Sequence, residues 1–147
     1  MKKVLVLGTF DLVHAGHIHL FDLASRHGQL HVGIAHDGLV RAFKGADRPI
    51  YNMVCREYIV RACRFVHETH IYGNESSTRE NNAPEQIKLV QAIQPDIFVQ
   101  GEDKDKNPDL SPFLEDWGIP RISTPRIDIE NVSTTAYLTK ILLGTKT

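Results

Sequence analysis

Gly8-Thr9-Phe10-Asp11-Leu12-Val13-His14-Ala15-Gly16-His17 is the stretch that decides the fold. Upstream of it, Val4 to Leu7 is an unbroken apolar run, the pattern of a strand buried on both faces of a parallel sheet. Downstream, residues 15–27 place Leu20, Phe21, Leu23 and Ala24 on a helical stripe, with Gly28 as the C-terminal stop. The order strand, turn, helix aims free N–H groups and the positive end of a helix dipole beyond the strand, which makes an anion site. Gly8 is expected to let the chain turn sharply off the strand, and Gly16 to let a ligand approach the helix backbone. His14 and His17, three residues apart, share a helix face and point at the same anion. A ring N–H placed on a phosphate oxygen as charge develops is worth roughly 3 kcal/mol.

The same alternation recurs along the chain. Leu30 to Ala35 is a second strand, and the Gly, Lys, Asp, Arg and Pro of residues 37–49 predict a polar, mobile loop. Val54, Tyr58, Ile59 and Ala62 recur at helical spacing, and a short strand is expected near Phe65 to Ile71. Pro84 opens a helix with Ile87, Val90 and Ile93 on one face, ended by Pro95. Asp96 to Val99 is a strand running to Gly101, a short helix follows around Pro112 to Trp117, and Ile119 to Ser123 is the last strand. Ser133 to Leu143 forms the final helix, and by itself Ser133-Thr134-Thr135 is an N-cap. This predicts an α/β fold: a Rossmann-like, doubly wound sheet of about five parallel strands with helices on both faces. Ligands of such sheets bind beyond the carboxyl ends of the strands, where strand order reverses. The loops after Leu7, Ala35 and Val99 and the Arg126 to Thr135 segment are expected to line one crevice.

Composition narrows the function classes. At 147 residues, 41% apolar and 24% charged, the chain is expected to form one domain over residues 1–147 without disulfide or metal staples. Cys55 and Cys63 have neither CxxC spacing nor a disulfide pattern, which fits a reducing compartment. Seventeen basic against eighteen acidic side chains leave no broad cationic field, so nucleic acid is not expected as a partner. The apolar run after Met1-Lys2-Lys3 is too short for a signal peptide or a membrane span, and a cytoplasmic location without membrane contact is expected. The chain has eight histidines, an excess that needs explaining. His14 and His17 have a chemical role; His19, His27, His31, His67 and His70 are read as surface or packing residues.

The sequence GTFDLVHAGH resembles, position for position, the GxFDxxHxGH signature of the nucleotidyltransferase superfamily, the cytidylyltransferases in particular. Its second signature, a basic residue followed by ISTT or ISST, corresponds to Arg126 and then Val132-Ser133-Thr134-Thr135. Length and element order look most like the glycerol-3-phosphate cytidylyltransferases. The resemblance implies attack by an acceptor phosphate oxygen on the α-phosphorus of a nucleoside triphosphate, CTP or else ATP, with pyrophosphate leaving opposite. His14, His17 and Lys44 are then the catalytic residues, Lys44 reaching the phosphates from its loop. Ser133, Thr134 and Thr135 take the pyrophosphate, and Thr9 and Phe10 offer backbone donors. Asp11 holds the turn; Gly8, Gly16, Arg64, Gly101, Glu102, Asp103, Arg126 and Val132 complete the nucleotide site. Mg²⁺ is implied as a companion of the triphosphate, riding on phosphate oxygens with no dedicated protein cage. A small phosphorylated acceptor and a homodimer are implied too. Weaker matches are Arg56 and Arg64-Phe65-Val66.

Departures from the family pattern bear on the acceptor. Arg64-Phe65-Val66-His67 stands where the family has Arg-Tyr-Val-Asp, and Gly101-Glu102-Asp103-Lys104 where glycerol-phosphate enzymes have Gly-Asp-Asp-Trp. Ala136, Tyr137 and Leu138 replace the usual Lys or Arg after the Ser-Thr-Thr. Beside a CTP-dependent enzyme acting on glycerol 3-phosphate or a similar alcohol or sugar phosphate, three alternatives stand. They are an ATP-dependent adenylyltransferase making FAD, an ADP-sugar or a coenzyme precursor; a nucleotide-binding module without turnover; and a histidine-rich metal carrier, which needs His14, His17 and His19 to converge.

Overall fold

The computed structural model describes residues 1–102 and 109–144. Five strands, β1 (Lys3–Gly8), β2 (Gln29–Ala35), β3 (Glu68–Tyr72), β4 (Ile97–Gly101) and β5 (Arg121–Thr124), form one sheet in the order β3-β2-β1-β4-β5. Every pairing is parallel. Strand order reverses between β1 and β4, so the two chain segments leaving their carboxyl ends diverge and open a crevice.

The helices are α1 (Ala15–Ser25), α2 (Asp37–Lys44), α3 (Met53–Arg61), α4 (Asn82–Ile93), α5 (Ser111–Asp116) and α6 (Thr134–Leu143), with a 3-10 turn at Arg79–Asn81. The two-residue period of β1 sorts its side chains to opposite faces. Val4 and Val6 pack with Phe21 and Ala24 of α1 and Val60 of α3. Leu5 packs with Val90 and Ile93 of α4 and Leu110 and Leu114 around α5. Helices therefore cover both faces, as the unbroken apolar run of β1 requires. Among the described residues no helix is long and apolar enough to cross a membrane.

Two expectations are corrected. Residues 37–44 are helix α2, not loop. His36 caps it, its ring nitrogen accepting from Gly38 N at 3.1 Å, and Asp37 in the first turn with Arg41 and Lys44 in the last complements the helix dipole. Leu39 and Val40 anchor it on Ala35 and Tyr72. Helix α3 is present, but Val54 and Tyr58 face outward at 70% and 68% exposure while Arg56 and Val60 face the core.

The buried Arg56 explains that rotation. Its guanidinium is fully enclosed. It donates to Thr9 O at 2.7 Å, Ala35 O at 2.8 Å, Tyr51 O at 3.0 Å and Asp37 Oδ1 at 2.8 Å. It thereby joins the chain leaving β1, the end of β2, the start of α2 and the segment before α3. A buried charge is tolerable only when its donors are met, and the planar fork does this where an ammonium cannot. Arg56→Met leaves three carbonyls and a carboxylate uncompensated and is expected to cost about 3–5 kcal/mol; Arg56→Lys is expected to recover only part. Urea unfolding of the three proteins checks this, and equal midpoints would remove Arg56 as the organising contact.

Candidate active site

The crevice beyond the carboxyl ends of the strands is a cleft of about 440 Å³, lined among others by Gly8, Phe10, His17, Lys44, Gly101 and Thr134. Loops after β1, β2 and β4 and the start of α6 meet there, as strand reversal dictates. A second hollow of about 340 Å³ lies on the segment Arg126 to Val132.

His14 is itself the N-cap of α1. Its Nδ1 accepts from Gly16 N at 3.1 Å, and the Nδ1 of His17 accepts from His14 N at 3.2 Å. The two rings stack with centroids 3.8 Å apart. A ring nitrogen that accepts cannot carry the proton, so these contacts put the N–H of each neutral ring on Nε2. Burial also lowers the pKa of His14. The pair thus presents two neutral Nε2–H donors beside a helix N-terminus, an arrangement suited to an anion.

The two glycines act differently from the sequence expectation. A Cβ on Gly8 would sit 2.8 Å from the Phe10 ring, and one on Gly16 would sit 2.9 Å from the His14 ring. Each therefore makes room for a side chain of the same motif. The left-handed positions of the turn are Phe10 (φ 54°) and Leu12 (φ 50°).

Asp11 is buried, and its carboxylate accepts from Ile50 N at 2.7 Å and Tyr51 N at 3.0 Å, with Arg48 Nε 3.5 Å away. It ties the β1 turn to the segment before α3. Its carbonyl accepts from Thr134 Oγ1 at 2.9 Å, which ties the same turn to the start of α6. Val132 packs over Gly16, and the Tyr137 ring meets His14 edge-on at 5.7 Å. The N-termini of α1 and α6 are thereby neighbours. Ser133 caps α6, its Oγ accepting from Ala136 N at 3.0 Å. Of the three hydroxyls, Thr134 has committed its proton to Asp11 and Ser133 keeps a proton to donate. Thr135 is exposed.

Lys44 ends α2 at the cleft rather than riding on a loop. Glu102 follows β4 and its Oε1 accepts from Arg126 N at 3.2 Å, joining the two segments on the far side of the cleft. Asp103 lies outside the described residues, as does Lys104. Arg64 is not brought to the cleft. It follows α3 at the amino end of the sheet, where His67 N bonds Leu30 O at the start of β2, and its guanidinium lies 4.8 Å over Phe65. Sequence reasoning missed the capping role of His14 and the structural roles of Arg48 and Tyr137. The paired His-x-Gly steps at His14 and His36 were the available signal for caps; nothing local marked Tyr137.

Comparison with known proteins gives the family. Residues 5–140 match the family "Cytidylyltransferase-like". The chain is 32% identical over 142 residues to the bifunctional protein HldE of Streptomyces coelicolor, covering 95% of this chain and 28% of that protein. It is 39% identical over 90 residues to the ethanolamine-phosphate cytidylyltransferase of Arabidopsis thaliana, covering 60% of this chain and 21% of that protein. The chain thus spans under a third of these relatives. Among solved structures, the lipopolysaccharide core biosynthesis protein of Thermoplasma volcanium superposes with a TM-score of 0.65 at 27% identity, covering 84% of this chain and 98% of that one. The parallel five-stranded fold, the paired helix N-termini and these matches together place the chain in the cytidylyltransferase-like family of the nucleotidyltransferase superfamily.

Proposed function

We propose that this chain transfers CMP from CTP to a small phosphorylated acceptor, a glycerol phosphate or a related alcohol or sugar phosphate, and releases pyrophosphate. The observation that carries the reading is the meeting of two helix N-termini at one cleft, one of them bearing paired Nε2–H donors. Similarity to a cytidylyltransferase of a phosphorylated alcohol supports the donor and acceptor classes.

In this reaction an oxygen of the acceptor phosphate forms a bond to the α-phosphorus, and the bond from that phosphorus to the bridging oxygen of pyrophosphate breaks. The nucleophile is already an anion, so no base is required; alignment and charge stabilisation supply the rate. His14 and His17 donate to α- and β-phosphate oxygens. Lys44, at the rim, neutralises the triphosphate and draws the acceptor in. Ser133, Thr135 and the free N–H groups of α6 hold the departing pyrophosphate, while Thr134 acts through Asp11 by keeping α6 in place. Backbone groups of Thr9, Phe10, Gly101 and Glu102 read the nucleotide, with Arg126 beside them. Mg²⁺ arrives with the triphosphate as part of the substrate. Among the described carboxylates, Asp11 is engaged by two backbone N–H groups and Asp37 by Arg56, so in this reading Mg²⁺ rides on phosphate oxygens.

The test is pyrophosphate release over four nucleoside triphosphates crossed with glycerol 3-phosphate, phosphocholine, phosphoethanolamine, sugar 1-phosphates and FMN. CTP with a phosphorylated alcohol or sugar is expected to lead. A preference for ATP would replace the cytidylyl reading by an adenylyl one, and silence across the grid would leave a binding module. His14→Ala and His17→Ala are expected to lower turnover about 100-fold or more in folded protein, the scale for losing one such donor.

The family reading includes a homodimer, and Val54 and Tyr58, exposed one turn apart on α3, are its candidate contact. Sedimentation at micromolar concentration is expected to give a dimer that Val54→Lys dissociates; a wild-type monomer would remove this part.

The caps also set a pH dependence. His14, with an ordinary pKa of 6.5, has a lowered value when folded because of burial. The unfolded chain therefore takes up this proton first, so stability is complete above about pH 6.5 and declines as pH falls toward the lowered value. Urea unfolding is expected to show less stability at pH 5.5 than at pH 7.5. His14→Asn, which keeps a cap acceptor without a titrating ring, is expected to reduce that difference, the rest coming from His31 and His70, whose values burial also lowers; an unchanged difference would discard the cap as a source.

A further inference from the structure

Besides His14 and His17 the chain has six histidines, and three of them, His31, His67 and His70, stand together. On the face of the sheet that carries α4, β2 presents His31 and β3 presents Glu68 and His70. Sheet register makes this a local cluster: His31 is paired with Glu68, and His70 stands two residues further along the same face. His31 Nδ1 lies 3.0 Å from His70 Nε2 and 3.6 Å from Glu68 Oε2. One donor atom from each of the three side chains falls within 4.8 Å of the others. The His67 ring lies 5.6 Å from that of His31, edge-on, at the entrance to β3.

We propose that His31, His70 and Glu68 form a binding site for a first-row divalent cation of the zinc class, separate from the nucleotide cleft. Bond lengths of 2.0–2.1 Å in a tetrahedral zinc site separate ligand atoms by about 3.3–3.4 Å. The observed 3.0 and 3.6 Å bracket that spacing for the two pairs that include His31. Two imidazoles and one carboxylate are a borderline donor set that selects zinc-like ions over Mg²⁺ or Ca²⁺, which prefer oxygen alone. The fourth position is left to water or to His67.

His31 is 5% exposed, and its Nε2 is buried without a hydrogen-bond partner among the described residues, so Nδ1 is the nitrogen that faces the other two ligands. Burial lowers the pKa of both His31 and His70, with His70, His67 and Lys3 adding to the effect on His31, Glu68 opposing it at both rings and Glu57 at His70. Neutral rings keep a lone pair for the ion. The site lies at the amino end of β2 and β3, whereas the cleft lies beyond the carboxyl ends. β3 is an edge strand paired only with β2, so the ion acts as a staple for it.

Untagged protein, stripped with a chelator and without nucleotide, is titrated with Zn²⁺ by calorimetry and with Co²⁺ by visible absorption. One equivalent per chain, a tetrahedral Co²⁺ spectrum and a higher unfolding temperature with Zn²⁺ are expected. His70→Gln and Glu68→Gln are each expected to weaken Zn²⁺ binding by about tenfold or more, and His14→Ala to leave it unchanged. Glu68 is exposed, so its variant tests the site even where a histidine variant unfolds. Absence of binding at micromolar Zn²⁺, undiminished binding in both ligand variants, or loss of binding in His14→Ala would overturn the proposal. None of these readouts depends on nucleotidyl transfer, so the two readings fail separately.

Discussion

A single guanidinium, that of Arg56, sets the geometry at the working end of this sheet. It is fully buried, and a buried charge must find its acceptors or raise the energy of the folded state by several kcal/mol. Its acceptors are carbonyls at Thr9, Ala35 and Tyr51 and the carboxylate of Asp37. Satisfying one side chain therefore forces the ends of β1 and β2, the start of α2 and the approach to α3 into one place. Asp11 answers from the other side of residues 48–51, accepting from Ile50 and Tyr51 next to Arg48. A buried cation and a buried anion thus bond to the same short segment beside the cleft.

Onto that wall the fold mounts two helix N-termini. The histidines of α1 use their Nδ1 atoms to satisfy backbone N–H groups that a helix start leaves open. The same contacts decide the tautomer, so capping and the display of Nε2–H donors are one arrangement. Gly8 and Gly16 belong to this economy of space: each omits a side chain where the ring of Phe10 or His14 must lie. The histidines in β2 and β3 follow another logic. Their nitrogens face one another rather than the backbone, and sheet register, not helix geometry, brings them together.

Much was legible locally. Apolar runs, glycines and proline placed all five strands and the long helices, because those signals act within a few residues. Helix α2 was missed because its stabilisation comes from a histidine cap and charge placement around only two core residues. The rotation of α3 was missed because an arginine took a core position that apolar spacing assigns to Val54 or Tyr58. Arg64 carried a family resemblance yet lies at the opposite end of the sheet from the cleft.

By itself the amino-acid sequence determined the parallel α/β class, the end of the sheet where the cleft opens and the two motifs that contribute to its lining. Periodicity, turn chemistry and helix-end polarity are short-range properties, readable from neighbours along the chain. Only the tertiary structure decided that Arg56 reaches Thr9 across 47 residues, and that Thr134 reaches Asp11 across 123 to seat α6 beside α1. It alone set His31 against His70 across 39. Those contacts depend on strand order and register, which follow from how the whole core packs.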